Sequence, residues 1–135
     1  MSVTERHLIP FEIQGLMPCC AAYVRVQWVD LINTVRCRIL PVSYFLSLIR
    51  SARPGLGVAK GSMGLVYFKI APGFSPAGEY LYVPDLSTMR ISPYAPGEAV
   101  VMGWFQEKAP YIGADNKLTV DVLSCPRTNL KRIIQ

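Results

Sequence analysis

Apolar and polar positions alternate most cleanly between Tyr23 and Pro41, in YVRVQWVDLINTVRCRILP. Val24, Val26 and Trp28 alternate with Arg25 and Gln27, and Val35, Cys37 and Ile39 alternate with Arg36 and Arg38. A period of two predicts two strands, each with one apolar and one polar face. Asp30 to Thr34 lies between them, with Asn33 suited to a left-handed turn conformation, so the pair reads as a hairpin. Pro41-Val42-Ser43 then opens a helix, since proline is tolerated in a first turn. Val42, Phe45, Leu46 and Ile49 fall on one apolar face of that helix, and Arg53-Pro54-Gly55 stops it.

Further along, Leu56 to Gly64 reads as a glycine-rich loop, Leu65 to Ile70 as a strand and Ala71 to Gly78 as a loop. Glu79 to Val83 is a short strand running into Pro84-Asp85, and Met89 to Ser92 is another. After a turn at Pro93 to Gly97, the apolar run Glu98 to Glu107 predicts a long strand near the sheet centre. Lys108 to Lys117 is a polar excursion, and Leu118 to Leu123 alternates again. Residues 1–20 carry apolar side chains without a period and are broken by Pro10, Gly15 and Pro18, which predicts an irregular lead-in. About six strands and one good helix after the second predict an α+β fold. The expected architecture is a β-grasp-like mixed sheet of five to six strands with one main packed helix.

Composition narrows the class. A chain of 135 residues is expected to form one domain. With 51% hydrophobic and 17% charged residues it can fill a core. The net charge of +5 is scattered, with Lys131-Arg132 the one adjacent basic pair. A nucleic-acid footprint clusters its charge on one face, so a solvated basic surface is expected and no nucleic-acid partner. No apolar run reaches the roughly 18 residues of a membrane helix, and the N-terminus lacks a secretory pattern. These point to a cytoplasmic protein with no membrane partner. Cys19, Cys20, Cys37 and Cys125 form no C-x-x-C, and His7 is the single histidine, so no zinc pattern can be written. Four free thiols are expected, and a disulfide from Cys125 to one N-terminal cysteine stays open.

Several segments invite chemistry. The loop from Gly55 to Gly64 has the order Lys60-Gly61-Ser62 ahead of a strand, whereas a phosphate loop needs Gly-Lys-Ser/Thr entering a helix. The nine acids show no paired spacing suited to general acid–base work. Asp85 after Pro84 reads as a turn or cap residue. The lone histidine in the lead-in argues against a hydrolytic triad. Tyr80, Tyr82, Trp104 and Phe105 could stack on a base, though aromatics on alternating strands favour packing.

The ordered set of these segments resembles a family. Val83-Pro84-Asp85-Leu86-Ser87-Thr88, Ser92-Pro93-Tyr94 and then Cys125-Pro126-Arg127 ahead of a helical tail (Asn129 to Gln135) are similar to the N-terminal region of glutamine synthetases, in wording most similar to the glutamine-synthetase-like proteins of fungi. The resemblance covers residues 21–135. It implies a β-grasp domain over 21–124 and, at 125–135, the start of the helix that would open a catalytic domain. Family enzymes join glutamate and ammonia with ATP and two divalent ions, magnesium or manganese, in a site formed between subunits. An Asp-Gly-Ser-Ser loop of the N-terminal domain reaches the neighbour's site, where its Asp helps to deprotonate ammonium.

The resemblance places Lys60, Gly61 and Ser62 at that substrate loop. Gly61 and Ser62 match, but Lys60 stands where the Asp would be. A cation cannot accept a proton from ammonium and repels it. The family's metal ligands and ATP pocket lie in the catalytic domain, so this chain is expected to hold no cofactor, no metal and no catalytic residue of its own, and to be inactive alone. Its expected partners are a family-type catalytic domain or neighbouring subunits, with a homo-oligomer only in a full-length protein. The alternative is an interaction module docking on full-length subunits through Leu130, Ile133, Ile134 and the lead-in. A weaker third reading is single-strand nucleic-acid binding. Arg25, Gln27, Arg36 and Arg38, expected together on the polar face of the hairpin, are the candidates for a subunit contact.

Overall fold

Residues 21–112 and 116–121 are described by a computed structural model of the chain. Strands β1 (Tyr23–Val29) and β2 (Val35–Pro41) lead into helix α1 (Val42–Ile49). Strand β3 (Leu56–Ala59) is followed by a 3-10 turn (Lys60–Gly64) and two short strands, β4 (Leu65–Val66) and β5 (Lys69–Ile70). Then come β6 (Glu79–Ile91), β7 (Glu98–Ile112) and β8 (Leu118–Asp121). The main sheet has the order β2-β1-β7-β6-β3, with β8 also on β7. β1 runs parallel to β7, with Tyr23 opposite Glu98 and Val26 opposite Val101, while β3 is antiparallel to β6. A mixed sheet with a single α-helix among the described residues is the expected α+β, β-grasp-like fold.

The chain divides into two compact units. Among the described residues the first comprises 21–27, Cys37–Pro54 and Pro84–Gly103. Its core holds Val24, Val26, Phe45, Ala99 and Val101, all without exposed surface, with Leu40, Leu46 and Met89. The predicted face of α1 is observed: Phe45 and Leu46 are buried, Val42 and Ile49 half-buried. Pro41 stands at the N-cap in extended conformation. The helix stops earlier than Arg53-Pro54-Gly55, because the Ser51 N–H and hydroxyl both donate to the Leu48 carbonyl, at 3.2 and 2.7 Å. Among the described residues the second unit comprises Trp28–Arg36, Gly55–Val83, 104–112 and 116–121. It is built on the aromatic contacts of Trp28 with Tyr82 and of Tyr82 with Phe105, ring centroids 5.5 and 4.7 Å apart. Tyr82 and Phe105 are buried, so packing claims them rather than base stacking.

Several expectations are corrected. The apolar positions of β2 face solvent: Val35 is 62% and Ile39 49% exposed, and Cys37 is an exposed free thiol. Leu40 is buried instead, and Arg36 is half-buried. Arg25 Nη1 donates to Cys37 Sγ at 3.6 Å, so these two share a sheet face. Alternation then puts Arg36 and Arg38 on the opposite face. The four residues Arg25, Gln27, Arg36 and Arg38 therefore do not form one polar surface.

The expected loop at Leu56–Gly64 is a strand and a 3-10 turn. Leu56 and Val58 are buried around Gly57, which pairs with Leu81. A side chain at Gly57 would meet the Glu79 carboxylate at 3.3 Å. The single strand expected at Leu65–Ile70 is a tight antiparallel hairpin, Leu65 opposite Ile70 and Val66 opposite Lys69. Its tip presents Tyr67 and Phe68, 90% and 99% exposed. The two short strands expected around Pro84 are one continuous strand, β6. Proline is tolerated there because β3 pairs only with Glu79 to Tyr82, so Pro84 lies beyond that ladder. β7 holds the central place expected of it and runs on into the polar excursion as far as Ile112. The lead-in and the helical tail, with Cys19, Cys20 and Cys125, fall outside the described residues.

Candidate functional site

Lys60, Gly61 and Ser62 occupy the 3-10 turn that follows β3, inside the second unit. The Lys60 N–H donates to the Gly78 carbonyl at 3.0 Å, and the Ser62 hydroxyl donates to the Ala59 carbonyl at 2.7 Å. Gly61, Met63 and Gly64 are buried. A side chain at Gly61 would stand 2.8 Å from Ile70, and one at Gly64 only 2.3 Å from the Phe74 ring. Glycine is required at 64 by this close approach, because the ring lies where a Cβ would sit.

The turn is also fastened to the β1–β2 connection. Leu31 N–H donates to the Met63 carbonyl at 3.0 Å, and Arg36 Nη2 to the Leu65 carbonyl at 3.4 Å. Arg36 is itself held by Asp30 at 2.6 Å. The glycine spacing that suggested a free loop is thus the spacing of a packed turn.

The Lys60 ammonium donates to both carboxylate oxygens of Glu107, at 3.0 and 2.9 Å. It also lies 4.8 Å from the centre of the Tyr80 ring. The hydrogen bond to Glu107 raises the Lys60 pKa above its ordinary value, against an opposing effect of partial burial; the charge of Glu107 adds to the rise. A second pair, Lys108 with Glu79, joins β7 to β6 nearby. The structure therefore brings Lys60 to a carboxylate and an aromatic ring, while Ser62 turns back on its own backbone. Neither Glu107 nor Tyr80 was singled out for this role from the sequence. They lie far from Lys60 in the chain, and the one available hint was Glu107 as the acid ending an otherwise apolar strand.

Chemically, the turn offers a protonated amine, a carboxylate already engaged by it, and a hydroxyl engaged by a carbonyl. None of these is poised to take a proton from a cationic substrate. Among the described residues no group of three His, Cys, Asp or Glu is placed to hold a metal ion. A hard divalent cation needs several converging oxygens, so the residues around this turn do not fit one. Asp85 lies within β6 rather than in the turn or cap expected of it, and its carboxylate accepts local bonds from the Ser87 N–H and hydroxyl, at 3.2 and 2.7 Å. Among the described residues no helix is long and apolar enough to cross a membrane.

No protein-family model matches the chain. Over 112 residues, 82% of its length, it is 30% identical to Protein fluG of Emericella nidulans, of which it spans 12%. In fold it is similar to a structure described as apo GmaS without ligand. That match covers 82% of this chain and 22% of the other, with a TM-score of 0.57 and 15% identity. A GmaS/ADP complex matches over 64% of the chain with a TM-score of 0.48.

Proposed function

We propose that the chain, similar in sequence to Protein fluG and in fold to GmaS, serves as a non-catalytic N-terminal β-grasp domain of the glutamine-synthetase-like family. The family reaction is ATP-dependent ligation of ammonia to glutamate. In this reading the domain contributes subunit contacts and one wall of an active site in the cytoplasm, and performs no ligation by itself. The observation that carries it is the pairing of Lys60 with Glu107. At the position where the resemblance expects a proton acceptor, the chain holds a cation with its ammonium already bound. Incubating the purified chain with glutamate, ammonium, ATP and magnesium tests this. No glutamine and no ADP are expected, and formation of glutamine overturns the reading.

A second reading is favoured by the β4–β5 hairpin. Its tip sets Tyr67 and Phe68 almost fully in solvent, beside Val66 at 43% and Ile70 at 39%. Exposed aromatic clusters of this kind mark contact sites. They support docking of the domain onto a full-length glutamine-synthetase-like subunit. Co-purification with such a subunit, abolished by Tyr67→Ser with Phe68→Ser, is the expected result. Retention of the complex by the double variant would remove the hairpin from it.

A further inference from the structure

The contacts of Lys60 are those of a bound ligand. A primary ammonium has three N–H donors and a compact charge. Here the two oxygens of Glu107 take donors at 3.0 and 2.9 Å, and the face of Tyr80 lies 4.8 Å from the nitrogen. A carboxylate beside an aromatic face is a recognised arrangement for holding organic ammonium ions. The two groups come from neighbouring strands, Tyr80 from β6 and Glu107 from β7. Tyr80 is also braced edge-on against Phe105, ring centroids 6.0 Å apart, so its placement does not depend on the lysine.

The lysine stem runs past Gly78, where a side chain would be in ordinary van der Waals contact with it. Gly78 has a φ of 91° and no side chain, and a Cβ there would lie 3.4 to 3.9 Å from three carbons of the Lys60 stem. Its carbonyl meanwhile accepts the Lys60 N–H. The Lys60 and Glu107 side chains each keep 26% of their surface exposed, so solvent reaches the site.

We propose that Glu107 and Tyr80 form a binding site for a primary alkylammonium ion, filled in this chain by its own Lys60. The inference stands on this geometry and goes beyond the family reading, because it needs neither ligation nor a partner subunit. Tethering gives the lysine an effective concentration on the order of millimolar or higher. In the native chain Lys60 therefore occupies the site ahead of free amines at low millimolar concentration.

The experiment is thermal unfolding of the full chain and of Lys60→Ala in n-butylammonium chloride, with sodium chloride and tetramethylammonium chloride at equal ionic strength as controls. Lys60→Ala is expected to lose about 2–5 °C in Tm. It should regain part of this in n-butylammonium alone, since a ligand that binds only the folded state stabilises it. The native chain and Lys60→Ala with Glu107→Gln should show no such selective gain. Equal responses to the three salts, or a selective gain in the double variant, would overturn the proposal. A second measurement covers a variant that does not fold. In the native chain the Lys60 ε-methylene protons should resonate upfield of those of the other lysines, under the Tyr80 ring, and return to them in Glu107→Gln. Ordinary shifts in the native chain would equally overturn it.

Discussion

The Asp30 carboxylate meets the Arg36 guanidinium at 2.6 Å across the β1–β2 connection, the acid with no exposed side-chain surface and the arginine 29% exposed. The same carboxylate accepts the N–H groups of Ile32 and Thr34, at 3.1 and 2.8 Å. One buried acid thus organises the turn and, through Arg36, reaches the carbonyl of Leu65 at the end of the 3-10 turn. Asp30→Ala strands two backbone donors and one cation. It is expected to cost about 2–4 kcal/mol. Asp30→Asn, which keeps an acceptor, should cost less. Urea unfolding of the three proteins checks this, and equal midpoints would show that the network contributes nothing.

Gly64 faces the Phe74 ring so closely that a Cβ would fall 2.3 Å from it. Gly64→Ala should therefore destabilise the protein by about 1–3 kcal/mol through overpacking. Phe74→Ala in the same chain should recover part of the loss, since it removes the clashing ring. Strict additivity of the two substitutions in a double-mutant cycle would show that the ring is not what excludes a side chain.

Lys60 is stabilised in its charged form by the hydrogen bond to Glu107, so its folded-state pKa lies above the ordinary value of 10.5. Because folding raises this pKa, the contribution is fully present below the ordinary value and is lost as pH rises through the folded one. With both partners partly solvated, its size is about 0.5–1 kcal/mol. The Tm difference between the native chain and Lys60→Met should stay level across neutral pH and shrink above pH 10.5. Lys60→Asp sets two carboxylates against each other and should cost more than Lys60→Met. Adding Glu107→Lys should restore part of that extra loss. A level difference through high pH, or no recovery on exchange, would dismiss the pair as a contributor.

Tyr67 holds a φ of 53° with its side chain 90% in solvent. A tyrosine bears a steric cost of roughly 1–2 kcal/mol in the left-handed region, which glycine avoids. Positive φ at only the first of two central hairpin residues is the pattern that favours Gly there. Tyr67→Gly should raise stability by about 0.5–1 kcal/mol net of glycine's greater unfolded-state freedom. Chemical denaturation measures it, and a loss would mean that the tyrosine side chain makes a stabilising contact.

Much of the layout is legible in local pattern. Asn33 takes its left-handed conformation, with φ 65°, between the two predicted strands. The face of α1 is the one its spacing predicts, and β7 takes the central place its apolar run predicts. Lys60, Gly61 and Ser62 can be named as a candidate turn from their order alone, but what Lys60 touches cannot. Glycine misled at Leu56–Gly64, where Gly57 and Gly64 mark close approach of neighbours rather than a free loop. At β6, Pro84 suggested a break that the limited reach of β3 makes unnecessary.

The sequence by itself determined the strand periods, the helix face, the turn residues and the α+β class, because each depends on residues a few positions apart. Tertiary structure decided which face of β2 turns inward. Alternation defines two faces but not which one meets the core, and register with β1 settles that. Arg25 consequently lies beside Cys37 while Arg36 turns to Asp30. Tertiary structure also decided the partner of Lys60, since Glu107 and Tyr80 reach it only once β3, β6 and β7 lie in one sheet.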